Sequence, residues 1–158
     1  MPARGWPRAA AAVVAGLAIA LLGGCGIPTD PNGTLERITG SELHVGATEH
    51  EGLVDIADGE VSGPLPELIE GFAAEHDADV VWTVDNEESL VQDLEAGTID
   101  LAIGGMTDAT GWSDRVSVTR GYPSIDGSDG APIVILLPMG ENGLQAALES
   151  YLDREAGP

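Results

Sequence analysis

The chain has 158 residues and a formal net charge of −21, with 27 acids set against six arginines and no lysine. A surface of that sign repels phosphate backbones and anionic headgroups, which excludes nucleic-acid binding. Its single cysteine, Cys25, excludes an internal disulfide.

Met1 to Arg8 carries Arg4 and Arg8 and no acid, and Ala9 to Leu22 is an unbroken run of Ala, Val, Leu, Ile and one Gly. A membrane span needs about 20 apolar residues, so this run is short for a permanent anchor and suited to the hydrophobic region of an export signal. Leu22-Gly23-Gly24-Cys25 follows directly and resembles the lipobox of bacterial lipoproteins. That resemblance implies cleavage after residue 24, acylation of Cys25 and a lipid anchor on the outer face of the cytoplasmic membrane. Cleavage removes Arg4 and Arg8 but no acid, taking the formal charge from −21 to −23. The expected organisation is a signal over 1–24, a lipidated Cys and tether over 25–40, and one domain over 41–155. Gly26 to Gly33 is turn-forming and fits the tether.

Thr34 to Ile38 has room for one helical turn, with Leu35 and Ile38 inward. Leu43 to Ala47 predicts a first strand, followed by a loop dense in acids over Thr48 to Val61. Leu65, Leu68, Ile69, Phe72 and Ala73 make a single apolar stripe at helical spacing, behind a Pro64 placed at the first helical position. Val80 to Val84 is β-branched and aromatic, hence a strand. Asp85 and Glu88 predict a capping box opening a helix with Leu90, Val91 and Leu94 inward and Gly97 as its stop. Ile99 to Ile103 predicts a third strand, Val116 to Thr119 a short one, and Ile133 to Leu137 another. Asn142 opens a last helix with Leu144, Ala147, Leu148, Tyr151 and Leu152 on one face. Strands alternating with helices predict an α/β domain, a single three-layer lobe with a mostly parallel sheet.

Open sheets of this kind place ligands beyond the carboxyl ends of their strands. Those ends are Thr48 to Glu51, Asp85-Asn86 and Gly104 to Asp108. Gly104-Gly105 either lets backbone approach a ligand or makes a tight turn, and the Thr107 hydroxyl adds a donor. No serine nucleophile elbow, phosphate loop or zinc spacing occurs. Glu49, His50, Glu51, Asp55 and Asp58 lack the rest of a calcium-loop pattern, so neither a metal nor a cofactor is expected.

Gly40 to Tyr122 resembles the first lobe of solute-binding protein family 3, a type II periplasmic binding protein. The features that carry the resemblance are Leu43-His44-Val45-Gly46, Glu67-Leu68 in an apolar helix and Leu94-Glu95-Ala96-Gly97-Thr98-Ile99-Asp100. Gly105-Met106-Thr107 and then Val116 to Tyr122 complete it. It implies a binding protein that does no chemistry, with His50, Gly105, Thr107, Asp108 and Trp112 as ligand contacts. Members that bind amino acids place an Arg five residues after the Thr, where this chain has Trp112; Arg115, three residues further, is the candidate substitute. An indole cannot replace the Arg fork on a carboxylate; it suits an apolar or cationic ligand. Complete members cross to a second lobe after the Tyr-containing strand, whereas here a short Gly/Asp-rich turn leads from Tyr122-Pro123 to Ile133. The expected function is therefore membrane-anchored binding of a small polar solute, an amino acid or amine, by one lobe associated with a transporter. The alternative is an accessory lipoprotein that binds a membrane transporter or another protein. An exposed apolar patch at the strand ends favours that alternative, and polar strand ends with room for a small molecule favour solute binding.

Overall fold

The computed structural model describes Asp30 and residues 32–157; the signal and lipidation expectations for 1–25 lie outside the described residues. Among the described residues, seven strands and four helices follow in chain order: α1 Thr34–Ile38, β1 Glu42–Ala47, β2 Asp55–Ala57, β3 Glu60–Ser62, α2 Pro64–Glu75, β4 Asp79–Val84, α3 Glu87–Ala96, β5 Leu101–Ile103, β6 Ser117–Val118, β7 Leu136–Leu137 and α4 Asn142–Glu155. The main sheet runs β4-β1-β5-β7-β6. β1 pairs parallel with β4, Val45 opposite Trp82, and with β5, Val45 opposite Leu101. β7 lies antiparallel between β5 and β6.

Period-two alternation divides the core into two layers. Leu43, Val45 and Ala47 of β1, Leu101 and Ile103 of β5, and Ile133, Ile135 and Leu137 face α2 and α4, meeting Leu65, Ile69, Phe72, Leu144 and Leu148. Ala102, Val134 and Leu136 face the other way and meet Leu90, Val91 and Leu94 of α3. A strand buried on both faces has to be apolar throughout, and β5 has no exposed residue. The result is the expected three-layer α/β lobe with a mostly parallel sheet.

Two local expectations change. The acidic loop over 48–61 contains the hairpin β2–β3, closed by Asp58 and Gly59, both at positive φ (53° and 85°). Two such residues between paired strands form the turn whose twist matches a hairpin. The cap of α3 is Asn86 rather than Asp85: the Asn86 side chain accepts from the Ser89 N–H at 3.1 Å, while Asp85 Oδ1 accepts from the Asn86 N–H at 2.7 Å. Packing also begins ahead of residue 41. Ile38 is fully buried, and Asn32 donates to Glu141 at the start of α4 through both its backbone N–H and its side chain.

Between Tyr122 and Ile133 the chain makes only turns. Ile125 packs into the main core and the buried Ser128 donates to the Pro123 carbonyl at 2.7 Å. Gly127 abuts Gly52 so closely that a Cβ there would lie 1.8 Å from the Gly52 oxygen. Tyr122 pairs with Ile133 directly, so the connection closes on itself within the lobe.

Candidate functional site

The carboxyl ends of β1, β4 and β5 share one edge of the sheet, because those three strands are parallel neighbours. After β1 the chain turns tightly, the Leu53 and Val54 N–H groups both donating to the His50 carbonyl at 3.0 and 2.9 Å. That turn lays the exposed His50 imidazole on Gly105, where a Cβ would come within 2.1 Å of Nδ1. A side chain at this position would have to displace the exposed imidazole from where it lies. After β5, Asp108 donates its N–H to the Pro132 carbonyl and Val134 donates to Met106, which holds Thr107 opposite Ile133. Among the described residues the Gly105 N–H and the Thr107 hydroxyl engage no protein acceptor, and both face a half-exposed setting.

An open cleft of about 440 Å³ lies beside them, lined by Glu87, Met106, Thr107, Ala109, Thr110, Gly111 and Trp112. The half-buried Trp112 is held in it from two sides. Its indole N–H donates to Glu87 Oε2 at 3.1 Å, and the Arg115 guanidinium stacks over the ring at 5.4 Å. Arg115 in turn forks onto Glu95 in the last turn of α3, Nε to Oε1 at 3.0 Å with NH2 on Oε2. The hydrogen bond from Arg115 holds the Glu95 carboxyl below its usual range. Both ends of α3 thus grip the segment from Trp112 to Arg115.

The structure brings Thr107 and Trp112 to one cleft and seats His50 and Gly105 against each other next to it. Asp108 is exposed at the rim and does not line the cleft. Arg115 stands behind Trp112, committed to Glu95. It lines a separate, larger hollow of about 740 Å³ at the opposite edge of the sheet, with Arg37, His44, Asp100 and Met139. There too the cations are taken, Arg37 pairing with the buried Asp100. That hollow lies at the amino ends of the parallel strands, where this architecture places no ligand. Glu87 is the residue that sequence reasoning missed: among Asp85, Glu87, Glu88 and Asp108, nothing but its indole partner distinguishes it.

The fold is that of one lobe of a type II periplasmic binding protein, the class whose first lobe the motifs of 40–122 resemble. No family model and no curated protein matches the sequence. Among solved structures, the chain is similar to domain 1 of TmArgBP, in the arginine-bound form of its Phe57Trp mutant. The TM-score is 0.66 at 20% identity, covering 76% of this chain and 96% of that one. It is also similar to the ancestral amino acid-binding protein AncCDT-1, a precursor of cyclohexadienyl dehydratase. There the TM-score is 0.65 at 12% identity, covering 78% and 95% of the two chains. An ancestral arginine-binding protein bound to arginine matches with a TM-score of 0.61 at 12% identity, covering 76% and 95%. At these identities the likeness establishes the fold.

Proposed function

We propose that this chain is an extracytoplasmic solute-binding lipoprotein, exported by residues 1–24, held at the outer face of the cytoplasmic membrane by acylated Cys25, and reduced to one lobe. It binds a small polar solute, an amino acid or amine, at the carboxyl edge of the sheet and passes it to a membrane transporter without doing chemistry. The observation that carries this reading is a small open cleft at the carboxyl edge of the parallel strands, with an unengaged Thr107 hydroxyl in its wall and the Gly105 N–H beside it. Solute-binding proteins figure among the structures of the same fold, two of them with arginine bound. The protein-partner alternative calls for an apolar strand-end patch. Among the described residues the only large apolar side chain exposed near that edge is Val84, and Met139 lies at the other.

The test is a thermal-shift titration of the full-length chain in non-ionic detergent against amino acids, polyamines and small organic anions. A ligand at 100 times its dissociation constant stabilises by about 2.7 kcal/mol, enough for a clear shift. A saturable shift lost in Thr107→Ala supports the reading; a folded protein that responds to no solute rejects it. Mass spectrometry of the membrane-extracted chain checks the anchor, which requires an acyl mass on Cys25.

A further inference from the structure

The cleft beside Thr107 has one charged wall residue, and the charge is negative. Of its lining residues only Glu87 is ionisable. Glu87 Oε2 takes the Trp112 indole N–H, while Oε1 accepts nothing among the described residues and is left to meet a ligand. Asp85 and Asp108, both exposed, add to the negative potential at the same edge.

No cation answers that charge. The sequence has no lysine, and every arginine in the described residues is already paired: Arg37 with Asp100, Arg115 with Glu95, Arg120 with Glu149 and Asp153, and Arg154 with Glu75. Arg115 comes nearest, and its fork is spent on Glu95 behind the indole. His50 rests on Gly105 and does not line the cleft. A ligand carboxylate placed here would meet the neutral hydroxyls of Thr107 and Thr110 with carboxylates around them. Those donors hold a hydroxyl, a carbonyl or a water equally well, so net charge decides. An ammonium or guanidinium has the opposite balance: Glu87 Oε1 accepts its N–H, and its charge offsets the edge.

We infer that the cleft formed by Glu87, Thr107 and Trp112 takes an amine or guanidinium lacking a carboxylate, with Glu87 as the residue that selects for positive charge. This rests on the solute-binding reading and narrows it from amino acid or amine to cation alone.

Matched pairs that differ only in the carboxylate test it: agmatine against arginine, and putrescine against ornithine, titrated calorimetrically into the full-length protein in non-ionic detergent. The expected result is at least about tenfold tighter binding of the decarboxylated member of each pair. Glu87→Gln, which keeps the acceptor for Trp112, should weaken agmatine by about tenfold or more, the usual cost of a lost charged hydrogen bond. Arginine binding as tightly as agmatine, or agmatine binding unchanged in Glu87→Gln, overturns the inference and leaves solute binding standing. Heat from none of the four compounds, in a chain that unfolds cooperatively, overturns the inference, and the wider thermal-shift panel then decides the solute-binding reading separately.

Discussion

Gly46 sits in the middle of β1 with its missing side chain pointing at α3. A Cβ there would lie 2.6 Å from Leu90 and 2.7 Å from Ile99, both buried core residues. Overpacking of a closed core costs about 1–3 kcal/mol, so Gly46→Ala should lower the unfolding midpoint by a corresponding amount in thermal denaturation. An unchanged midpoint would mean that α3 can slide outward. The sequence displays the alternation of Leu43, Val45 and Ala47 openly, because a strand's period is local. It does not display what Gly46 faces, since Leu90 arrives from a helix more than forty residues later. The same holds at the site. Thr107 and Trp112 could be picked out by their position after the third strand, but the bond from Trp112 to Glu87 depends on the loop folding back onto α3.

At the scale of elements, α1 and α4 are tied by a pair of acids. Asp30 Oδ2 accepts the Leu35 N–H of α1 at 2.7 Å, and the fully buried Glu141, at the N-cap position of α4, accepts from Asn32. Asp30 Oδ1 and Glu141 Oε2 are both buried without a conventional partner. One proton shared between the two carboxyls would satisfy both. Burial first, then the hydrogen bond to Glu141, raises the Asp30 pKa above its ordinary 3.8. Burial opposes ionisation of Glu141 as well, but its hydrogen bonds from Asp30, Thr34 and Asn32 outweigh that and lower it below 4.5. The stabilisation from Asp30 is complete below 3.8 and is lost as pH rises through its raised value. That from Glu141 is present above 4.5 and is lost as pH falls through its depressed value. The pair therefore stabilises best in the mildly acidic window between. In Glu141→Gln the amide can donate to Asp30 permanently, so the variant's midpoint should fall less than the parent's on raising pH beyond that window. Parallel losses in the two proteins would show that the acids do not share a proton. Elsewhere the elements themselves were legible wherever a stripe or run was long, as in α2 and β4. The hairpin β2–β3 was not, because three-residue strands give too short a pattern, although Asp58-Gly59 is the turn that would have marked it.

The whole molecule folds against its own charge. With a formal charge of −21, and ion pairs concentrated on four arginines, most of the carboxylates repel one another across the surface. The Debye length shrinks to about 3 Å at 1 M salt, which removes that repulsion while leaving the core untouched. The unfolding midpoint should therefore rise with sodium chloride between 0.05 and about 1 M, until screening is complete. A midpoint that falls with salt would make the arginine pairs, rather than the repulsion, the dominant surface term.

Sequence by itself determined the layer architecture, because burial on one face or two writes a period into the chain that no partner is needed to read. It also determined the sign of the surface and the edge where a ligand would sit, since parallel strands point their carboxyl ends one way. Tertiary structure alone decided which charges remain available. Arg115 appears in the sequence as a free cation three residues beyond Trp112; in the fold it is fastened to Glu95, and Glu87 is left as the charged wall of the cleft. The arginine ion pairs join residues twenty and more apart in sequence, and their geometry depends on packing that no local pattern encodes.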